Sequence, residues 1–120
     1  MAAVGTNNPG PRVSVSDGVL VIQLSSSAGL RVVPLDCVVA RARFGDPVGV
    51  EILDLKGQLG TAVHLPSQRD DDLRWSYDEE IDALYVRLSA HGSHGQRRVQ
   101  GTAKLDGWGT LVSLQIPMAA

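Results

Sequence analysis

Two histidines three residues apart, in His91-Gly92-Ser93-His94, are the groups whose type and spacing come nearest to a metal site, with His64 the only other imidazole. A zinc site takes three or four ligands held rigidly, and a glycine-rich loop holds little in place. The pair therefore reads as a solvated loop, and no metal site is expected. Asp78 and Asp82 could share acid–base work only if burial shifted one of their pKa values, and an acid-rich turn such as Asp78-Glu79-Glu80 stays hydrated. Asp70-Asp71-Asp72 lacks the oxygen-ligand spacing and turn glycine of a calcium loop. Cys37 is the only cysteine, so it forms no intrachain disulfide and no multi-cysteine zinc site. In the apolar run Cys37-Val38-Val39-Ala40 it reads as a small buried hydrophobe. A Gly-x-Ser-x-Gly nucleophile elbow and a phosphate-binding glycine loop are both missing. No catalytic residue and no cofactor is expected, and the balance leans away from an enzyme.

Arg97 and Arg98, with Arg87 and Lys104, could form a basic strip beside Tyr85 and Trp108. Such a strip is the footing of a single-stranded nucleic-acid binder, in which bases stack on aromatics above a positive groove. A formal net charge of −2 and an aromatic content of only 4% weigh against that reading. Hydrophobic residues at 43% and charged residues at 20% give an ordinary globular balance. No basic-then-apolar leader opens the chain and no apolar run approaches bilayer length, so the expected location is cytoplasmic, without membrane.

The elements behind these residues follow a period of two. Leu84, Val86 and Leu88 alternate with Ala83, Tyr85 and Arg87, the pattern of a half-buried strand. Asp17-Gly18 between two alternating runs predicts a two-residue hairpin. Strands are also expected over 12–16, 19–25, 30–33, 36–43, 48–53, 73–77, 96–106 and 111–116, with Pro34 interrupting one ladder. No helical period emerges, although residues 59–65 fit either a short strand or a turn of helix.

A second regularity spans the chain. Leu20, Ile22, Leu24 and Ser25 answer to Leu84, Val86, Leu88 and Ser89 at an offset of 64 residues. At the same offset Phe44-Gly45 answers to Trp108-Gly109, and Val48, Val50 and Ile52 to Val112, Leu114 and Ile116. Val38-Ala40-Ala42 and Ala103-Leu105 run in opposite phase, which suggests a slip or bulge in one copy. The reading is an internal duplication: an arm at 1–11, a β-repeat at 12–55, a linker at 56–72 and a second β-repeat at 73–117. The expected fold is all-β, with two pseudo-twofold-related antiparallel meanders packed as a sandwich or flattened barrel around one core. That core is expected to hold Leu20, Ile22, Leu24, Val50, Ile52, Leu84, Val86, Leu88, Leu114 and Ile116.

The run from Tyr77 to Ser89 resembles the signature of a widespread prokaryotic family of small β-rich domains of unknown function. Its pattern is Y-D-x-x-x-D-x-L-Y-[IV]-x-L-S, followed by G-x-[LV]-V-G-[IV]-E-I-L. The second copy matches the opening half through Tyr77, Asp78, Asp82, Leu84, Tyr85, Val86, Leu88 and Ser89. The first copy matches the closing half through Gly45, Val48, Gly49, Val50, Glu51, Ile52 and Leu53. Val13 and Ser14 stand where the first copy has lost Tyr-Asp, and Ser113 and Gln115 where the second has lost Gly and Glu. The resemblance implies a compact β-fold and no activity. These complementary losses suggest one composite surface of Tyr77, Asp78, Asp82 and Tyr85 with Glu51, and Trp108 joins them as a candidate binding residue. The expected function is a non-catalytic interaction or scaffold domain that forms a homo-oligomer or binds a small protein partner. The alternative is a small-molecule-binding or enzymatic β-barrel with a polar-lined cavity.

Overall fold

A computed structural model describes residues 12–66, 75–89 and 91–118. The expected arm at 1–11 and the strand positions 73 and 74 lie outside the described residues. Eight strands run in order: β1 (Arg12–Ser16), β2 (Val19–Gln23), β3 (Arg31–Arg41), β4 (Pro47–Ile52), β5 (Trp75–Asp78), β6 (Ala83–Arg87), β7 (Gly95–Leu105) and β8 (Leu111–Pro117). Among the described residues one helix, α1 (Leu55–Leu59), follows β4. All the described strands belong to one antiparallel sheet in the order β1-β2-β8-β7-β3-β4-β6-β5, curled into a half-barrel.

The chain is all-β, as expected, but the two meanders do not stand as separate facing sheets. Neither expected repeat forms a continuous meander: β2 and β3 are separated by β8 and β7. The strands of the two repeats interleave and meet at β2/β8, β7/β3 and β4/β6, the central pair β3 and β7 over 11 positions from Arg31↔Leu105 to Arg41↔Gly95. This pairing satisfies two edges that separate meanders would have left open, and curling lets one concave face enclose the core.

Local chemistry explains most of the elements. Asp17 and Gly18 both take positive φ (52° and 76°), the twist of a tight hairpin between β1 and β2. Gly45 and Gly109 supply positive φ (93° and 81°) in the turns before β4 and β8. Pro34 does not interrupt β3, which runs through it as one strand. Asp36, two positions on, turns its N–H away from β7 to donate to Gln58 Oε1 (2.6 Å). By strand periodicity the nitrogen of Pro34 also faces away from β7, so its missing hydrogen costs no bond there.

The helix is a departure from the strand-only expectation. Five residues are too few to display a 3.6-residue period, yet Leu55 and Leu59 fall on one face and both are buried. The segment after it places His64 in an isolated parallel bridge with Thr110.

The core gathers Leu20, Ile22, Leu24, Val50, Ile52, Leu84, Val86, Leu114 and Ile116, all buried as expected, while Leu88 at the end of β6 is only partly buried. Leu35, Cys37, Val39, Leu55, Leu59, Ala103, Leu105 and Leu111 complete it. Leu35, Cys37 and Val39 point inward on β3, which corrects the phase expected from Val38-Ala40-Ala42. Both faces of that strand carry apolar residues, so alternation alone could not choose between them. The bulges that are present fall at Ala40/Arg41 and at Lys104/Leu105.

Candidate interaction surfaces

Tyr77 and Asp82 meet at the turn between β5 and β6. Asp82 adopts a left-handed backbone (φ 52°) that brings its carboxylate back under β5. Tyr77 Oη donates to Asp82 Oδ1 (2.5 Å). The second carboxylate oxygen accepts the backbone N–H of Lys56 (2.9 Å), and the Asp82 carbonyl accepts that of Leu55 (3.0 Å). Asp54, which precedes α1, makes no side-chain cap, so Asp82 satisfies two of the orphan amides at the helix start. The hydrogen bond to the carboxylate, then partial desolvation, pushes the Tyr77 phenol up to about 12. Lys56 Nζ stands 6.0 Å from the Tyr77 ring centroid. Asp78 Oδ1 accepts the Glu80 N–H (3.0 Å) and closes an Asx turn. These three residues hold turns and a helix start.

Tyr85 has a different role. It pairs with Glu51 across β4 and β6 on the outward face, and remains 38% exposed. Its ring and hydroxyl lie over Gly49, close enough that a β-carbon there would collide with the hydroxyl. A bare backbone covered by a cross-strand aromatic is the reason a glycine and a tyrosine occur together here.

Trp108 is not brought to this group. It projects from the turn between β7 and β8, 86% exposed. Asp106 organises that turn, its Oδ1 accepting the N–H groups of Trp108 (2.8 Å) and Thr110 (3.0 Å). The Thr110 amide contributes most to holding the Asp106 carboxyl below its ordinary range, against partial desolvation.

Phe44, absent from the expected site, is the most exposed large hydrophobic residue described, at 90%. The signal was present in its alignment with Trp108. It stands over a surface cleft of about 490 Å³ between the β3–β4 turn and the loop after β6. His91 and His94 line this cleft, with Ser89 Oγ and His91 Nδ1 2.7 Å apart. Among the described residues no group of three or more metal-ligating side chains converges. Cys37 is buried, donates to the Val99 carbonyl (3.4 Å), and burial followed by the nearby Asp36 charge pushes its thiol up to about 11. No described helix is long and apolar enough to cross a membrane. No family model, curated protein or solved structure matches the chain.

Proposed function

We propose that the chain is a non-catalytic interaction domain, a fused tandem pair of one small β-unit, that assembles with itself or with a small protein partner. The observation that carries this reading is the exposure of Phe44 and Trp108, at 90% and 86%, on corresponding turns of the two halves. Large aromatics on protruding turns are the side chains that anchor interfaces.

Strand bounds and loop bonds support the duplication and its pseudo-twofold. β2, β3 and β4 begin at residues 19, 31 and 47, and β6, β7 and β8 begin 64 residues later at 83, 95 and 111. The bonds Ala42 N to Asp46 O (2.8 Å) and Gly45 N to Ala42 O (2.9 Å) recur as Asp106 N to Thr110 O (3.0 Å) and Gly109 N to Asp106 O (3.1 Å). Both bulges are also 64 residues apart. The strand order reads the same backwards when each strand is exchanged for its counterpart. Asp36 pairs with Gln100, its own counterpart, so the axis would pass between them.

The symmetry gives the composite motif a meaning. A pair of units has two equivalent strand junctions, β4 against β6 and β2 against β8. The first keeps Gly49, Glu51 and Tyr85; the second has Ser113, Gln115 and Val21 in their places. Complementary loss of half-motifs leaves one junction complete, which supports kinship with the single-unit β-family. The barrel alternative is disfavoured by a concave face filled with aliphatic side chains. Multi-angle light scattering at micromolar concentration tests self-association. A multiple of 12.7 kDa that drops in Phe44→Ser or Trp108→Ser is expected. A 12.7 kDa monomer removes the self-association half.

A further inference from the structure

We propose that the cleft beneath Phe44 is a docking groove for an extended peptide from another polypeptide, with small and aliphatic side chains. This rests on the duplication reading above. The argument comes from what fills the corresponding place in the second half. There the turn around Trp108 receives residues 61–65 of the chain itself, with His64 seated in a single parallel bridge. His64 N donates to Gly109 O (3.0 Å), and Leu111 N donates to His64 O (2.9 Å). The bridge runs parallel to the β8 side, and Val63 and Leu65 turn inward onto the core.

The counterparts of Gly109, Thr110 and Leu111 are Gly45, Asp46 and Pro47, of which Asp46 and Pro47 line the cleft of about 490 Å³. One wall is Phe44, Pro47 and Val48; the other is Ser89, His91 and His94. The framework around the cleft is the same as around the filled seat. Leu88 N and His94 N donate to Val48 O (3.0 Å) and Arg41 O (2.8 Å), as Leu24 N and Leu30 N donate to Val112 O (2.8 Å) and Leu105 O (2.8 Å). A seat of this shape takes a strand by β-augmentation, in which main-chain bonds give affinity and side-chain pockets give selectivity. Val63 and Leu65 identify the pockets as aliphatic.

One difference tunes the groove. Leu111 donates its N–H to the occupant, whereas Pro47 has none to give. A peptide at the first-half seat keeps the acceptor Gly45 O, which Arg41 Nη1 also approaches (3.4 Å), and loses the donor. Binding there is weaker than it would be with both bonds in place.

The test uses the full chain and a synthetic peptide of residues 60–66, Gly-Thr-Ala-Val-His-Leu-Pro, titrated by amide-resolved NMR. Saturable shifts at residues 44–48 and 89–94, with 108–111 unmoved, are expected. Phe44→Ser should abolish them. Pro47→Leu, which restores the missing donor, should tighten binding about fivefold, the usual net worth of one hydrogen bond. Shifts confined to 108–111, no saturation, or weaker binding in Pro47→Leu overturns the proposal. Concentration-dependent shifts along the far wall, residues 89–94, without peptide assign the groove to a second copy and overturn it too. Light scattering keeps the two claims apart: an assembly that ignores the peptide removes only the groove, and a monomer that binds it removes only self-association.

Discussion

Leu20 and Leu84 offer a paired perturbation of the core. Each is 0% exposed, and each lies opposite an isoleucine of the other half, Leu20 against Ile116 and Leu84 against Ile52. Truncating either to alanine removes about three methylene equivalents, roughly 2.4 kcal/mol of transfer free energy at about 0.8 per group. The unfilled hole adds to this, giving about 2–5 kcal/mol in total. The two sites should not cost the same. Leu84 is flanked by Tyr77 on β5, whereas Leu20 is flanked by Val15, which is 63% exposed. Surroundings that are open to solvent relax and hydrate more readily, so Leu84→Ala should sit toward the upper end and Leu20→Ala toward the lower. Urea unfolding followed by circular dichroism measures both. Because each hole is lined by both halves, each variant should unfold in one transition with its midpoint lowered and its slope unchanged. A loss below about 0.5 kcal/mol for either, well short of the usual large-to-small range, would refute the inward assignment. Separate transitions for the two halves would refute the shared core.

Gly49→Ala should destabilise the chain by about 1–3 kcal/mol through overpacking against Tyr85, and Tyr85→Ala in the same background should recover part of that loss in the same urea assay. Stability should fall in alkali. Cys37 titrates at 9.0 unfolded and about 11 folded, and Tyr77 at 10.0 unfolded and about 12 folded. Both contributions are complete below pH 9 and are lost as pH rises through the folded values. Tyr77→Phe should remove the higher part of this decline, and an unchanged alkaline profile would count against the Tyr77–Asp82 bond. Native Cys37 should resist a thiol reagent at neutral pH and react at once in urea, since a buried thiol supplies little thiolate; rapid native labelling would contradict its burial.

Much of the sheet was legible because two-residue alternation and hairpin chemistry act locally. Asp17-Gly18 and the run Ala83 to Arg87 needed no distant partner to be read. β3 misled because Val32, Val38 and Ala40 lie on one face and Val33, Leu35, Cys37 and Val39 on the other. Only the pairing with β7 decides which face is buried. The helix was hidden by its length and by the source of its cap: Asp82 is 26 residues from Lys56 in sequence. For the same reason Tyr77 and Asp82 read as candidate binding groups before their mutual bond was visible. Tyr85 and Glu51 were placed together by motif alone, and the strands do pair them. Phe44 was passed over although it aligns with Trp108, because the alignment pairs the two turns and does not report how far either side chain projects.

Site-specific photo-crosslinking in cells tests the interaction claim most directly. A photoreactive amino acid replaces Trp108, and in a second variant Phe44, with exposed Glu79 on the β5–β6 turn as the control position. Light should produce discrete protein adducts, of twice 12.7 kDa or of 12.7 kDa plus a small partner, at position 108 or 44 and not at 79. Only the 12.7 kDa species at both aromatic positions, or the same adducts at position 79, would contradict an interaction domain that uses its turn aromatics.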